Sequence, residues 1–374
     1  MRPETLAVHA AAEPDPATGA IAPPLHFATT FRHGPAGERV AGYEYQREGN
    51  PTQDRLESAL AALEGGAAAL AFGSGMAAMH ALLESLPRGA HVLIPADCYT
   101  GLRVLAQEFL PEREISATAV EMGDPDAVRA ALRPQTQLIW AETPSNPQLR
   151  IADLDALARL ASTQGALLAC DNTFATPVLQ QPLALGADVV MHSTTKYLGG
   201  HSDVMGGALV FARRDALYER VAHRRHVTGG ILAPFSAWMI LRGCRSLPAR
   251  MAWHCRGARA VAQFLAQQAA VEAVHYPGLQ THPGHAVAAR QMRDFGGMLS
   301  FRVHGGRDAA LRVAGALQLI HNATSLGGCE SLIEHRASVE GPHPFSPQNL
   351  LRLSVGLEHP DDLIADLLQA LLQA

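Results

Sequence analysis

The order of residues in this chain predicts an α/β protein, with one large and mostly parallel sheet followed by a smaller C-terminal α/β unit. Three observations lead there. From about residue 52 onward, short apolar runs alternate with stretches of helical periodicity. The runs are short and bounded by helices, as strands covered on both faces are. Polar and chemically capable residues gather just after the runs, where ligands sit in such sheets.

The elements follow in order. The first fifty residues carry Pro14, Pro16, Gly19, Pro23, Pro24, Gly34, Pro35 and Gly37 and little periodicity, which predicts an extended arm without a core of its own. The arm ends at Gly42-Tyr-Glu-Tyr-Gln-Arg-Glu-Gly-Asn-Pro-Thr52. Its tyrosines and arginine suit an anion grip and a subunit contact equally. Thr52 reads as the N-cap of a helix with Leu56, Leu60 and Leu63 on one face, closed by Gly65-Gly66. Residues 67–72 form a strand, Gly73-Ser-Gly-Met76 a turn, and a second helix runs to Leu86. Free backbone N–H groups and the helix dipole favour an anion at that turn, although a plain tight turn explains the glycines as well. Gly-Ser-Gly is neither a Walker A loop nor a dinucleotide fingerprint.

Further strands are predicted at 90–95, 137–142, 166–170, 187–191 and 208–211, with Leu154, Leu157, Ala158 and Ala161 forming a helical stripe among them. Near residue 245 a long helix begins, with Ala260, Val261, Phe264 and Leu265 on one face. Beyond it lie strands at 298–303 and 350–356 and helices at 310–317 and 361–374. The division is thus an arm (1–50), a large domain (51–248) and a C-terminal domain (249–374).

Composition excludes several classes. A net charge of -5 and a pI near 6.4 give no footprint for nucleic acid or an anionic membrane. Five scattered cysteines, with no C-x-x-C pair, read as reduced thiols. No long uncharged apolar run and no secretory leader appear, so a cytoplasmic protein is expected. The densest histidine clusters, His223-Arg-Arg-His226 and His282-Pro-Gly-His285, lack companion ligands at metal spacing and are expected to be structural.

Among the 30 lysines and arginines, Lys196 is the one lysine. A guanidinium stays protonated, whereas a desolvated amine can lose its proton and attack a carbonyl. A leftover surface lysine is the plain alternative. Tyr99, Asn146, Asp171, Ser193, Thr195 and Lys196 all fall just past predicted strand ends. A lone amine, an aspartate, an aromatic ring and a small-residue turn together call for pyridoxal phosphate. The lysine would bind the cofactor covalently, the aspartate would keep its pyridine nitrogen protonated, and the tyrosine would stack on its ring. Arg352 offers a planar fork for a substrate carboxylate.

Specific motifs carry a family resemblance. They are Tyr43-x-Tyr-x-Arg47 with Asn50-Pro-Thr52, Ser74-Gly-Met76, Glu142-Thr-Pro-Ser-Asn-Pro147, Asp171-Asn-Thr173 and the run from Asp188 to Ser202. Tyr276-Pro-Gly-Leu with His282-Pro, Ser325-Leu-Gly-Gly and Leu351-Arg-Leu-Ser-Val-Gly356 belong with them. From about Thr5 to its end the chain resembles the trans-sulfuration (Cys/Met metabolism) enzymes: cystathionine γ-lyase, γ-synthase and β-lyase, and methionine γ-lyase. The resemblance implies a fold-type I, aspartate-aminotransferase-like enzyme with pyridoxal 5'-phosphate, assembled as a homotetramer built from two dimers. It makes Lys196 the Schiff-base lysine and proton shuttle, Asp171 the pyridinium partner, and Tyr99 the stacking ring, counted with Lys196 as catalytic. Gly75, Met76, Ser193 and Thr195 would hold the phosphate, with Tyr45 and Arg47 reaching in from a neighbouring subunit. Asn146, Ser325 and Arg352 would orient the cofactor oxygen and the substrate carboxylate, with Thr324 and Glu44 beside the substrate.

Three departures stand out. Tyr99-Thr-Gly-Leu-Arg103 is one residue shorter than the family's usual run, so no role passes to Arg103. Thr324 stands where many γ-lyases and γ-synthases have glutamate, and the segment between Arg336 and Leu350 is short. The Glu44-Tyr-Gln-Arg47 run resembles γ-lyases slightly more, so the expected activity is C–S cleavage of L-cystathionine. Cystathionine γ-synthase is the alternative, ahead of β-lyase and methionine γ-lyase. A non-catalytic module with the same fold is the remote reading, which the presence of Lys196 and Asp171 disfavours.

Overall fold

Seven strands form the large sheet in the computed structural model, which describes residues 1–341 and 344–374. They are β1 (Ala68–Phe72), β2 (His91–Pro95), β3 (Ser116–Val120), β4 (Thr136–Glu142), β5 (Leu167–Asp171), β6 (Val189–His192) and β7 (Gly207–Phe211), in the order β1-β7-β6-β5-β4-β2-β3. Strands β2 to β6 run parallel, and β7 is antiparallel to both its neighbours. The mostly parallel sheet is as expected. Its central strands are buried on both faces: Trp140 and Ala169 on one side and Ile139 and Leu168 on the other have no exposure, as helix-covered parallel strands require.

Reading the sequence missed β3. It is an edge strand, its Ser-Ala-Thr-Ala is only partly covered, and so nothing selected for an apolar run there.

The helix Pro51–Glu64 begins two residues earlier than a cap at Thr52 implies. Asn50, not Thr52, is its N-cap: the Asn50 side chain accepts from Thr52 N at 2.9 Å, and Pro51 follows at the first helical position. The Thr52 hydroxyl instead accepts from His26 N at 2.9 Å and ties the arm to the helix start. Gly65, at φ +73°, closes the helix in the left-handed conformation. The arm itself opens with a helix, Pro3–His9, whose Ala7 joins the core, while Phe27 and Val40 further along it are exposed.

A second sheet follows, ordered β10-β11-β12-β9-β8, from β8 (Val271–His275), β9 (Met298–Val303), β10 (His321–Asn322), β11 (Leu332–His335) and β12 (Leu350–Ser354). Apart from the parallel β10–β11 pair it is antiparallel. Strands β8, β10 and β11 were not legible as apolar runs; two are edges and the third is four residues long. The 19-residue helix Leu247–Leu265 joins the two units. Leu247, Met251 and Cys255 pack with Leu56 and Leu60, whereas Ala258, Val261 and Leu265 pack with Phe301 and Leu351. A boundary at 248/249 therefore falls inside one continuous helix. Among the described residues, no helix is long and apolar enough to cross a membrane.

Candidate active site

The C-terminal ends of β2, β4, β5 and β6 open into a cavity of about 250 Å³, and the second sheet supplies its far wall. Gly75, Met76, Tyr99, Asn146, Asp171, Ser193, Thr195, Lys196, Thr324, Ser325 and Arg352 all line it.

One end is a helix N-terminus. Ser74 caps the helix Gly75–Glu84, its hydroxyl accepting from Ala77 N at 3.0 Å, while Ala78 N bonds Ser74 O at 3.2 Å. The N–H groups of Gly75 and Met76 are left for an anion. A Cβ at Gly75 would stand 3.0 Å from Met191 Cε and 3.1 Å from Ser193 Cβ, so a larger residue would have to push the Met191 and Ser193 side chains aside for the turn to close on that strand end. Behind it, a Cβ at Gly207 would lie 2.2 Å from Ser74 O; β7 is pressed directly against the turn. Ser193 N donates to Thr173 Oγ1 at 2.9 Å. The Thr195 hydroxyl pairs with the Gly206 carbonyl and amide, both at 3.1 Å.

Across the cavity, Glu142 and Asp171 end adjacent strands in direct register. Glu142 was missed as a site residue, though it closes a strand that was read. Its carboxylate accepts from Tyr99 N at 2.9 Å and Asn146 N at 2.7 Å, so one side chain fixes the loops after β2 and β4. Burial, then repulsion from Asp171, hold Glu142 well above the usual carboxylate range. Burial also raises Asp171, against hydrogen bonds from the Thr173 hydroxyl and amide.

Lys196 Nζ donates to Ser325 Oγ at 2.9 Å. Burial, then the nearby Arg352 guanidinium, push the amine down to about 8, with Glu334 opposing. Ser325 itself sits at φ +84°, a strained conformation for a residue with a side chain. Arg352, 4% exposed, donates from Nη1 to Asn146 Oδ1 at 3.1 Å and from Nη2 to Ser325 O at 3.1 Å and Glu334 Oε2 at 2.8 Å. Burial lowers it to about 10, opposed first by Glu334. Glu334 was missed because β11 was missed; it lies directly opposite Arg352 in the β11–β12 register. A charge inside each of the apolar runs Leu-Ile-Glu-His and Leu-Leu-Arg-Leu is the signal that could have paired them, since buried charges need partners.

Tyr45, Arg47 and Glu44 are not brought to this cavity within one chain. Tyr45 is 42% exposed. Arg47 Nη1 donates to His226 O at 3.2 Å, and Glu44 pairs with Arg39 at 2.7 Å.

The family model for Cys/Met metabolism PLP-dependent enzymes matches residues 4–372. The chain belongs to that family. It is 50% identical over 375 residues to the cystathionine gamma-synthase of Mycobacterium tuberculosis (strain ATCC 25618 / H37Rv), covering 99% of this chain and 96% of that protein. The crystal structure of metB from Corynebacterium glutamicum superposes with a TM-score of 0.97 at 43% identity, covering 99% of this chain and 98% of the other. Cystathionine gamma-lyase from Lactobacillus plantarum, complexed with L-serine, superposes with a TM-score of 0.96 at 40% identity, covering 100% of this chain and 99% of the other.

Membership makes this a pyridoxal phosphate enzyme of cystathionine metabolism with the fold-type I architecture. The donor set fits the cofactor. Free amides at a helix start suit its phosphate, Asp171 suits a protonated ring nitrogen, and an amine of lowered affinity for protons suits its aldehyde.

Proposed function

We propose that this enzyme catalyses γ-replacement on the homoserine skeleton, joining an O-acylhomoserine to cysteine to give cystathionine and the free acid. Cleavage of cystathionine by γ-elimination is the second reading. Both need what the cavity offers: Lys196, its amine lowered to about 8, beside a carboxylate grip built on Arg352. That juxtaposition carries the proposal. The order of the two readings rests on the relatives: those named cystathionine gamma-synthase reach 50% identity, the gamma-lyases about 41%. The contrary hint in Glu44-Tyr-Gln-Arg47 rests on residues outside the chain's own cavity.

Pyridoxal phosphate, when bound, supplies an aldehyde that condenses with amines and a ring that takes up electron density from the substrate's Cα. Gly75 and Met76 amides with Ser193 and Thr195 would hold its phosphate, Asp171 its ring nitrogen and Tyr99 its face. Arg352, Asn146 and Ser325 would grip the substrate's α-carboxylate, which orients the Cα–H bond toward Lys196. A neutral Lys196 Nζ removes the Cα proton and then serves Cβ, while Ser325 Oγ holds the amine between transfers. In replacement, the Cγ–O bond breaks with its electron pair leaving on the carboxylate. The cysteine sulfur forms the Cγ–S bond, and the thiol proton is released. Tyr45, Arg47 and Glu44, half-exposed on the arm, would complete the site of a neighbouring subunit in a homotetramer.

The test is incubation with O-succinyl- or O-acetyl-L-homoserine plus cysteine, beside L-cystathionine alone. Cystathionine formation faster than keto-acid release from cystathionine is the expected result. Rapid keto-acid release with no cystathionine synthesis reverses the order of the two readings, and no turnover in either arm overturns both.

A further inference from the structure

Two segments that depart from the family's usual pattern, 99–103 and the stretch after Arg336, meet in space. Pro342 and His343, within the second stretch, lie outside the described residues. The Arg103 guanidinium lies over the Phe345 ring, 3.7 Å from its centroid, and Arg336 Nη2 reaches Thr100 Oγ1 at 3.4 Å. Both contacts join the turn after Tyr99 to the chain following β11, and Arg336 lines the cavity there.

Arg336 is 7% exposed, yet its donors are largely unused. Nη1 donates to Glu334 Oε2 at 2.6 Å, and the Thr100 contact is at the long limit of a hydrogen bond. Nε is buried with no partner among the described residues. Glu340 Oε1 stands 3.5 Å away, but that carboxylate is engaged by Phe345 N, Ser346 N and the Ser346 hydroxyl. A buried guanidinium with open N–H groups is costly unless a ligand takes them, and a carboxylate matches its fork. Arg352 gives three of its five N–H groups to Asn146, Ser325 and Glu334, which fixes its fork and leaves two for a ligand. The two arginines share Glu334 Oε2 and so stand side by side on one wall.

We propose that Arg336 binds a second substrate carboxylate, beyond the group that leaves or enters at Cγ, while Arg352 takes the α-carboxylate. This rests on the γ-replacement reading for its choice of substrates. The second carboxylate has two sources, the far end of a dicarboxylic acyl ester or the incoming cysteine, and the same variants distinguish them. R336M is compared with the parent on O-succinyl- against O-acetyl-L-homoserine with cysteine, and on cysteine against cysteamine with either ester. In one comparison, the kcat/KM preference for the partner bearing the extra carboxylate falls about tenfold or more, because a site built to hydrogen-bond a group rejects the analogue lacking it. R336K, which keeps charge but not the fork, falls by less in the same comparison. Preferences unchanged in both comparisons overturn the proposal, as does an equal loss on every substrate. Should R336M fail to fold, R336K decides: an unchanged preference overturns the proposal. Titrating the cofactor absorption of pyridoxal phosphate-loaded protein with each ester and thiol gives affinities independent of turnover. If the parent turns over no ester, the functional reading fails while those affinities still decide Arg336.

Discussion

The two sides of the cavity are held by different physics. On the large-sheet side, Gly75, Asp171, Ser193 and Lys196 sit at strand ends and in the turns that follow, and backbone amides do most of the positioning. On the small-sheet side, Arg352 and Arg336 are held by one shared carboxylate, Glu334, inside a protein interior. The first arrangement survives as long as the parallel sheet does. The second depends on ion pairs, and a buried pair is costly to break because the survivor stays charged in a poor solvent.

The largest expected effect lies on the backbone-held side. Lys196→Ala removes the only amine at the cavity and should lower turnover about 10³-fold or more, with borohydride no longer fixing the cofactor to that peptide. The thermal midpoint should change little by comparison, since the surrounding turn does not rely on the side chain. A variant that keeps its borohydride-fixed cofactor would show that another group performs the chemistry.

The ion-paired side should respond in the opposite proportion. Glu334→Gln leaves two adjacent guanidiniums without their shared carboxylate, at a cost of about 3–5 kcal/mol. A lower Tm and a KM raised about tenfold are expected, with kcat less affected. If kcat fell while Tm and KM held, Glu334 would belong to the proton-transfer machinery instead.

A pH experiment sharpens the comparison at Lys196. Its folded-state affinity for a proton is lowered from 10.5 to about 8. Between those values the unfolded chain holds a proton that the folded chain lacks, so stability of the cofactor-free protein rises with pH across that window. The burial penalty is fully present below about pH 8. Denaturation from pH 7 to 10 should therefore show the parent gaining on Lys196→Met by up to about 1.4 kcal/mol per pH unit. Parallel curves would place the amine in water.

The smallest effect concerns the helix that carries the arm junction. Asn50→Ala should cost about 1 kcal/mol of stability through the lost cap and also release the arm carbonyls of His26 and Ala28, whereas Thr52→Ala should loosen the arm at His26 N with the helix cap intact. Equal losses of helix stability in the two variants would return the cap to Thr52.

Much of the molecule was legible in the residues. Lys196 declared itself as the single lysine, Asp171 and Gly75 as residues at strand ends, and the β–α alternation gave the sheet around them. Glu142 was within reach, since it closes a strand already read, but nothing local says that its carboxylate fixes two loops 43 and 4 residues away. The helix cap was misplaced by two residues because Thr and Asn are both good caps: the Thr52 hydroxyl is taken by His26 N, whereas Asn50 caps through Oδ1 and still donates from Nδ2 to the arm carbonyls of His26 and Ala28.

Strand-end chemistry is written locally: a short apolar run, its last residue and the turn that follows lie together in sequence, so the sequence by itself determined the large-sheet half of the cavity. The small-sheet half was decided by tertiary structure. Glu334 meets Arg352 only through the antiparallel register of two strands, and Arg336 meets Thr100 across 236 residues. No periodicity encodes such pairs, because their partners are chosen by how the two sheets pack and by the need of each buried charge for an opposite one.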